Sequence, residues 1–248
     1  MAAPFALSPK PVIEPRPAEA MEANALPALG VSPLVLSALV GGNAALFARA
    51  FQLHAPRPPA TLVDSTYGSG VFWQALDLSG YTTRFTDLSS GVDARALPYP
   101  DHSADVVVLD PPYAYNPKGT IKASISASYR LNESAISIAT NADVLALYAA
   151  MMAEAARVLR PGGRAFVKCQ DIIESGIQRW NHVTILGGAS ALGWYGLDLF
   201  VLVQAQTPAR RWATQHHARR NHSYLWVFAA DAPKLARSVV WPTRGNGR

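Results

Sequence analysis

The stretch VVVLDPPY, Val106 to Tyr113, constrains this chain more than any other. An apolar run, Val106 to Leu109, reads as a buried strand. It runs straight into an acid, two prolines and an aromatic ring. Each proline fixes φ near about −65° and supplies no N–H donor. Each also keeps the residue before it out of the helical region. Asp110 and Pro111 are therefore both extended, and the backbone is stiff. Such a stretch is either a rigid solvent-facing turn or a device that presents one carboxylate, one carbonyl and one flat ring in fixed register.

The surrounding pattern selects a fold class. ATLVDSTYGSGVFWQAL reads as strand, glycine loop and helix. TTRFTD is a second short strand, and a third strand-like piece lies near Asp93. NADVLALYAAMMAEAARVLRPGG has helical spacing, with Asn141 or Asp143 as cap and Pro161-Gly162-Gly163 as stop. RAFVKC is a fifth strand, IQRWNHVTILGGASAL a weaker helix, and LDLFVLVQAQ and SYLWVFAA the last two strands. Alternating strands and helices predict an α/β, Rossmann-like, doubly wound fold. The expected sheet has seven strands, mostly parallel, with an antiparallel edge strand and helices on both faces.

Half of the 248 residues are hydrophobic, enough for a sizeable core. Residues 1–30 hold six prolines and read as a disordered tail. Residues 31–232 form the folded domain, and residues 233–248 a basic C-terminal tail. Pro33 to Leu53 is too interrupted by polar residues for a membrane span and reads as one or two surface helices. No secretory leader is visible. A single cysteine, Cys169, excludes an internal disulfide, and a cytoplasmic location is expected. The formal charge of +5 favours an anionic partner.

Gly68-Ser69-Gly70 follows the first strand, where glycines let the backbone approach a ligand closely. The third glycine of a dinucleotide fingerprint is absent, and Trp73 stands in its place. Asp87 closes the second strand, where an acid accepts hydrogen bonds from ribose hydroxyls. Asp93 lies shortly after, within reach of an adenine amino group. The three features together suit an adenosine-type cofactor with no pyrophosphate to cradle.

The glycine loop, the acid after the second strand and D-P-P-Y after the fourth together resemble the class I S-adenosylmethionine-dependent methyltransferases. More narrowly, they resemble the amino-methyltransferases that modify exocyclic nitrogens of nucleobases in DNA, at adenine N6 or cytosine N4. RVLRPGGRAFVK and NHSYLWVF are similar to segments of the same enzymes, and the resemblance spans residues 40–230. It implies S-adenosylmethionine as cofactor, held by Asp64, Thr66, Gly68, Gly70, Asp87 and Asp93. It implies Asp110, Pro111, Pro112 and Tyr113 as the catalytic set. The Asp110 carboxylate and the Pro111 carbonyl would accept hydrogen bonds from the amine and localise its lone pair, and Tyr113 would stack on the base. The large target-recognition domain of many DNA methyltransferases has no room here. Specificity therefore comes from loops, or from a protein partner or oligomer. DNA takes precedence over RNA as the expected substrate. An RNA base amino-methyltransferase and a non-catalytic nucleic-acid-binding relative are the alternatives.

Two basic segments suit phosphate contacts. Residues 114–141 carry Lys118, Lys122 and Arg130 and read as a substrate flap. TPARRWATQHHARRNH carries Arg210, Arg211, Arg219 and Arg220, with Trp212 for stacking or packing. His216, His217 and His222 lack the cysteines or spaced acid of a metal site, and no metal is expected. Lys168 and Gln170, after the fifth strand, are candidate substrate contacts. Cys169 reads as a small buried residue, and Asp171 has no assigned role.

Overall fold

The computed structural model describes residues 34–113, 138–205 and 214–231. In chain order they form β1 (Ala38–Val40), α1 (Asn43–His54), β2 (Thr61–Asp64), β3 (Thr82–Phe85), β4 (Ala104–Leu109), α2 (Asn141–Val158), β5 (Leu159–Cys169), β6 (Ile172–Glu174), β7 (Ile177–Arg179), α3 (Asn181–Ala191), β8 (Tyr195–Val203) and β9 (His222–Ala229). Seven strands make one sheet in the order β1-β8-β9-β5-β4-β2-β3. Its pairings are parallel except those of β9 with β5 and β8. The expected α/β class is therefore the observed one. The antiparallel strand is third from the rim, because β8 and then β1 lie outside it.

Alternation along the central strands builds a core on each face. Val106 and Val108 of β4 and Phe166 of β5 point to one side, with Leu46, Phe47, Ala50 and Phe51 of α1. Val107, Leu109, Ala165 and Val167 point to the other, with Val144, Tyr148, Met151 and Ala155 of α2 and Ile185 of α3. Helices thus cover both faces, as a sheet of buried parallel strands requires.

Several local expectations change. Glycine-loop residues do not lead into an α-helix but into one 3-10 turn, Val71–Trp73. Phe72 and Trp73 there pack on Phe47 of α1, so α1 already covers this face. No strand forms near Asp93. Pro98 and Pro100 interrupt the segment, which packs through Ala94 and Leu97 and ties Leu97 N–H to Glu154. The seventh strand is β1 instead, inside the stretch read as helical. Thr140 caps α2 and Asp143 reciprocates, completing a capping box. The weak helix splits: Ile177–Arg179 pairs with Ile172–Glu174 as a hairpin, and only Asn181–Ala191 is helical. Ser175 and Gly176 both have positive φ, 49° and 79°, as a two-residue hairpin turn requires.

Candidate active site

Strand register brings the sequence motifs to one edge. Asp64 pairs with Phe85 on one side and Val108 on the other, and Val108 pairs with Phe166. The carboxyl ends of β2, β3, β4 and β5 therefore lie together. In doubly wound sheets ligands bind outside this edge. β9 runs the opposite way, so its first residues arrive at the same edge, with Tyr224 opposite Cys169.

At the end of β2, Asp64 is 2% exposed. Its Oδ1 accepts from Thr66 N–H at 2.8 Å and from the Thr66 hydroxyl at 3.1 Å, and its Oδ2 from the Trp73 indole N–H at 2.7 Å. Burial pushes its carboxyl up to about 7, with Asp110 adding to the effect, although the Trp73 and Thr66 donors oppose the shift. Trp73, which replaces the third fingerprint glycine, is thus a fixture for Asp64. Thr66 Oγ1 also accepts the backbone N–H of Asp110 at 2.8 Å. One hydroxyl joins the glycine loop to the D-P-P-Y turn. Gly68 and Gly70 have φ of 52° and 70°, in the left-handed region that favours glycine. A Cβ on Gly70 would meet the Tyr67 hydroxyl at 2.6 Å.

Asp87 serves its own loop first. Its Oδ1 accepts from Ser89 N–H at 2.8 Å, Ser90 N–H at 3.1 Å and the Ser89 hydroxyl, and its Oδ2 from Gly68 N–H at 3.1 Å. Oδ2 has one such donor and keeps capacity for another. Asp93 pairs with Arg95 at 2.6 Å, which holds its carboxyl below the usual range. A crevice of about 400 Å³, counting its open mouth, joins Ser65, Thr66, Asp87, Asp93, Pro111 and Pro112, closed by Leu147 and Met151 of α2. Asp64 does not line it. The buried hydroxyl of Ser65 has no protein partner among the described residues, and nothing in the sequence singled it out.

On the far side of the turn, burial pushes the Tyr113 phenol up to about 12, with Asp110 adding to the effect. Lys168 is 1% exposed. Its ammonium donates to Ser223 Oγ at 2.5 Å and lies 5.8 Å from the centre of the Tyr113 ring. Gln170 donates to the His222 carbonyl at 2.8 Å, at the start of β9. Asp171, 1% exposed, accepts from the His182 ring at 2.7 Å. Cys169 is fully buried, and burial pushes its thiol up. Its reading as a core residue stands.

Arg219 and Arg220 are half-buried on the segment entering β9, and Arg220 donates to the Ala218 carbonyl. His217 contacts the Gly176 carbonyl and His222 the Tyr224 hydroxyl. Lys118, Lys122, Arg130, Arg210 and Arg211 lie outside the described residues, as do Trp212 and both tails.

No family model matches the chain, and no curated protein matches it. Solved structures with a similar arrangement include TrmN from Thermus thermophilus, at 16% identity and a TM-score of 0.46, over 76% of this chain and 49% of that one. They include a second protein of Thermus thermophilus, described as a DNA modification methylase and complexed with S-adenosyl-L-methionine, at 21% identity and 0.38, over 61% and 54%. A third is a SAM-dependent methyltransferase from Methanosarcina mazei, at 10% and 0.41, over 73% and 96%. This chain spans about half the length of the first two. At these scores the overlaps say nothing about substrate.

Proposed function

We propose that this protein is an S-adenosylmethionine-dependent methyltransferase that acts on an exocyclic amino nitrogen of a nucleobase, adenine N6 or cytosine N4, in DNA. One observation carries the reading: Pro111 and Pro112 of the D-P-P-Y turn line the same crevice as Thr66, Asp87 and Asp93. A methyl donor and an amine acceptor would thus meet at one strand edge.

The crevice suits the cofactor. Its walls are largely apolar, as a flat purine needs, and its polar groups are few: the Ser65 hydroxyl, unpartnered among the described residues, Thr66, Asp93, and Asp87 with one oxygen still able to accept. Ser65, Thr66, Asp87 and Asp93 would hold the adenosine part, with Gly68 and Gly70 shaping the loop. The cofactor, when bound, supplies an electrophilic methyl group on a sulfonium.

The chain's own residues prepare the nucleophile. An exocyclic amine is a weak nucleophile because its lone pair is delocalised into the ring. The Asp110 carboxylate and Pro111 carbonyl accept its two N–H groups and draw the nitrogen towards tetrahedral geometry. Both acceptors are held before reaction by the prolines and by the Asp110 N–H bond to Thr66, so little reorganisation remains. The Tyr113 phenol stays neutral at working pH, and its ring offers a face for stacking, worth about 1–3 kcal/mol per base. A base in a duplex must leave the stack to arrive here. Phosphate contacts fall to Arg219 and Arg220 at the same edge, with Lys118, Lys122, Arg130, Arg210 and Arg211 proposed for the two basic segments. Sequence selection rests with those segments or with a protein partner.

The test is methyl transfer from labelled cofactor to separate DNA and RNA pools, followed by digestion to nucleosides. Label is expected in N6-methyladenine or N4-methylcytosine from DNA. Label in RNA alone would move the substrate class, and label in neither would sink the nucleobase reading.

A further inference from the structure

Trp180 joins β7 to α3 and is 58% exposed. It holds the N-cap of α3 and makes no side-chain capping bond there, although helices favour a short polar residue at that place. The cap's work is done from elsewhere. Asp171, just after β5, accepts the His182 backbone N–H at 3.2 Å and the His182 ring at 2.7 Å. Asn181 and Asn141 exchange amide bonds at 2.9 and 3.0 Å. The Trp226 indole donates to the His182 carbonyl at 3.0 Å. The two residues after Trp180 are thus tied to α2, β9 and the end of β5, while its own ring stands in solvent. An exposed indole on a fixed mount breaks the local rule for a helix start, and such conflicts mark functional positions.

Rings lead inward from it. Trp180 meets the His182 ring edge-on at 6.2 Å, His182 stacks on Tyr224 at 4.3 Å, and Tyr224 meets His222 at 5.3 Å. Tyr224 is paired with Cys169 at the carboxyl edge of the sheet, so the row begins at that edge and ends at Trp180. None of the four residues lines the crevice. Charge around the row is one-sided. Between residues 171 and 183 the acids are Asp171 and Glu174, and both are engaged, Glu174 with Arg179 at 3.0 Å and with the Asn141 N–H at 2.7 Å. The segment entering β9 adds Arg219 and Arg220 without an acid, and its His217 reaches the Gly176 carbonyl of the β6–β7 turn at 2.7 Å. Cations beside an open aromatic face suit a nucleic-acid strand, since every base has a face to stack. A second copy of the chain is the rival occupant, because Ile177 and Val183, each three residues from Trp180, are also exposed. A symmetric contact would set this basic border against itself, which like charge disfavours.

We propose that Trp180 is a stacking platform for a base that flanks the target in the DNA strand, with phosphates of the same strand on the segment entering β9. The role rests on the nucleobase reading of the site. It gives Asp171 a purpose as well: by capping α3 from the end of β5, it frees the cap position to carry an indole.

The experiment measures binding of a fluorescein-labelled single-stranded DNA by anisotropy across a salt series, in wild type, Trp180→Ala, Trp180→Phe and Trp180→Ser. Trp180→Ala should weaken binding about tenfold. The salt slope should stay at the wild-type value, because no phosphate contact is lost. Trp180→Phe keeps a ring and should recover most of the affinity. In methyl transfer the loss should appear in KM rather than kcat, with the cofactor Kd as in wild type. Trp180→Ser supplies a capping hydroxyl, so it should melt no lower than wild type yet bind DNA as weakly as Trp180→Ala. Unchanged affinity in Trp180→Ala, or a Trp180→Phe no better than alanine, overturns the proposal. So does a Trp180→Ser that melts far below wild type, which would make the indole a structural residue. Sedimentation covers the rival: a dimer that Trp180→Ala breaks, with DNA affinity kept, assigns the ring to a second copy and overturns the proposal. A wild type that binds the strand but methylates no base sinks the functional reading, while the anisotropy series still decides the role of Trp180. One that binds no strand overturns the platform itself.

Discussion

The two ends of the crevice edge are built differently. Beside β2 and β3, carboxylates are held by near neighbours in sequence: Asp64 by Thr66, Asp87 by Ser89 and Ser90, Asp93 by Arg95. Beside β5 and β9, polar groups meet across long stretches of chain: Lys168 with Ser223, Gln170 with His222, and Asn141 with Asn181 through a reciprocal pair of amide bonds. The first end is pre-shaped largely by local turns, and under the proposed function it would hold the cofactor. The second exists only once the sheet is assembled, and under the same proposal it would select the substrate.

The contrast predicts that lesions at the two ends fail differently. The largest effect is expected at the meeting point. Asp110→Ala should lower kcat by about 10²–10³, as losing one preorganised group does, with cofactor affinity and melting temperature close to wild type. Near-normal turnover on a verified substrate would return Asp110 to a simple turn residue.

Asp87→Ala should instead act on the ground state. It removes the cap on Ser89 and Ser90 and the acceptor for Gly68 N–H, costing about 1–2 kcal/mol of stability. Cofactor affinity should fall about tenfold, with one charged hydrogen bond lost to the ligand. Calorimetry showing lost stability but unchanged affinity would confine Asp87 to the loop.

A subtler effect belongs to Asp64. Burial raises its carboxyl from 3.8 to about 7, so the folded state holds its proton more firmly than the unfolded one. The resulting stabilisation is full below about 4 and is lost as pH rises to about 7. Asp64→Asn cannot titrate. Its melting temperature relative to wild type should therefore climb across that window, and a constant difference would mean that Asp64 titrates normally.

The smallest expected change is in salt dependence. Arg219→Ala with Arg220→Ala should reduce the log–log slope of DNA affinity against salt by about one to two units. A wild-type slope would place these side chains away from the phosphates, consistent with the Arg220 bond to the Ala218 carbonyl.

Legibility followed the same divide. The strong strands and α2 were readable because apolar spacing is set residue by residue, and the D-P-P-Y turn because proline chemistry is local. Strand β1 was not, since Ala38–Val40 is three residues long and mostly exposed. Its identity comes from the β8 edge it pairs with. The Ser175-Gly176 turn was a usable hairpin signal, hidden inside a stretch with weak helical spacing. Trp73 could be seen to displace a fingerprint glycine, but not to donate to Asp64.

By itself the sequence determined an α/β chain whose glycine loop, Asp87 and D-P-P-Y turn each follow a strand, because strands, turns and caps are specified by neighbours along the chain. Only the tertiary structure decided that Thr66 bridges the loop to the turn and that Lys168 reaches Tyr113 with its charge set on Ser223. The physical reason is that a buried polar group must find a partner wherever the sheet delivers one, and strand order places that partner far away in sequence.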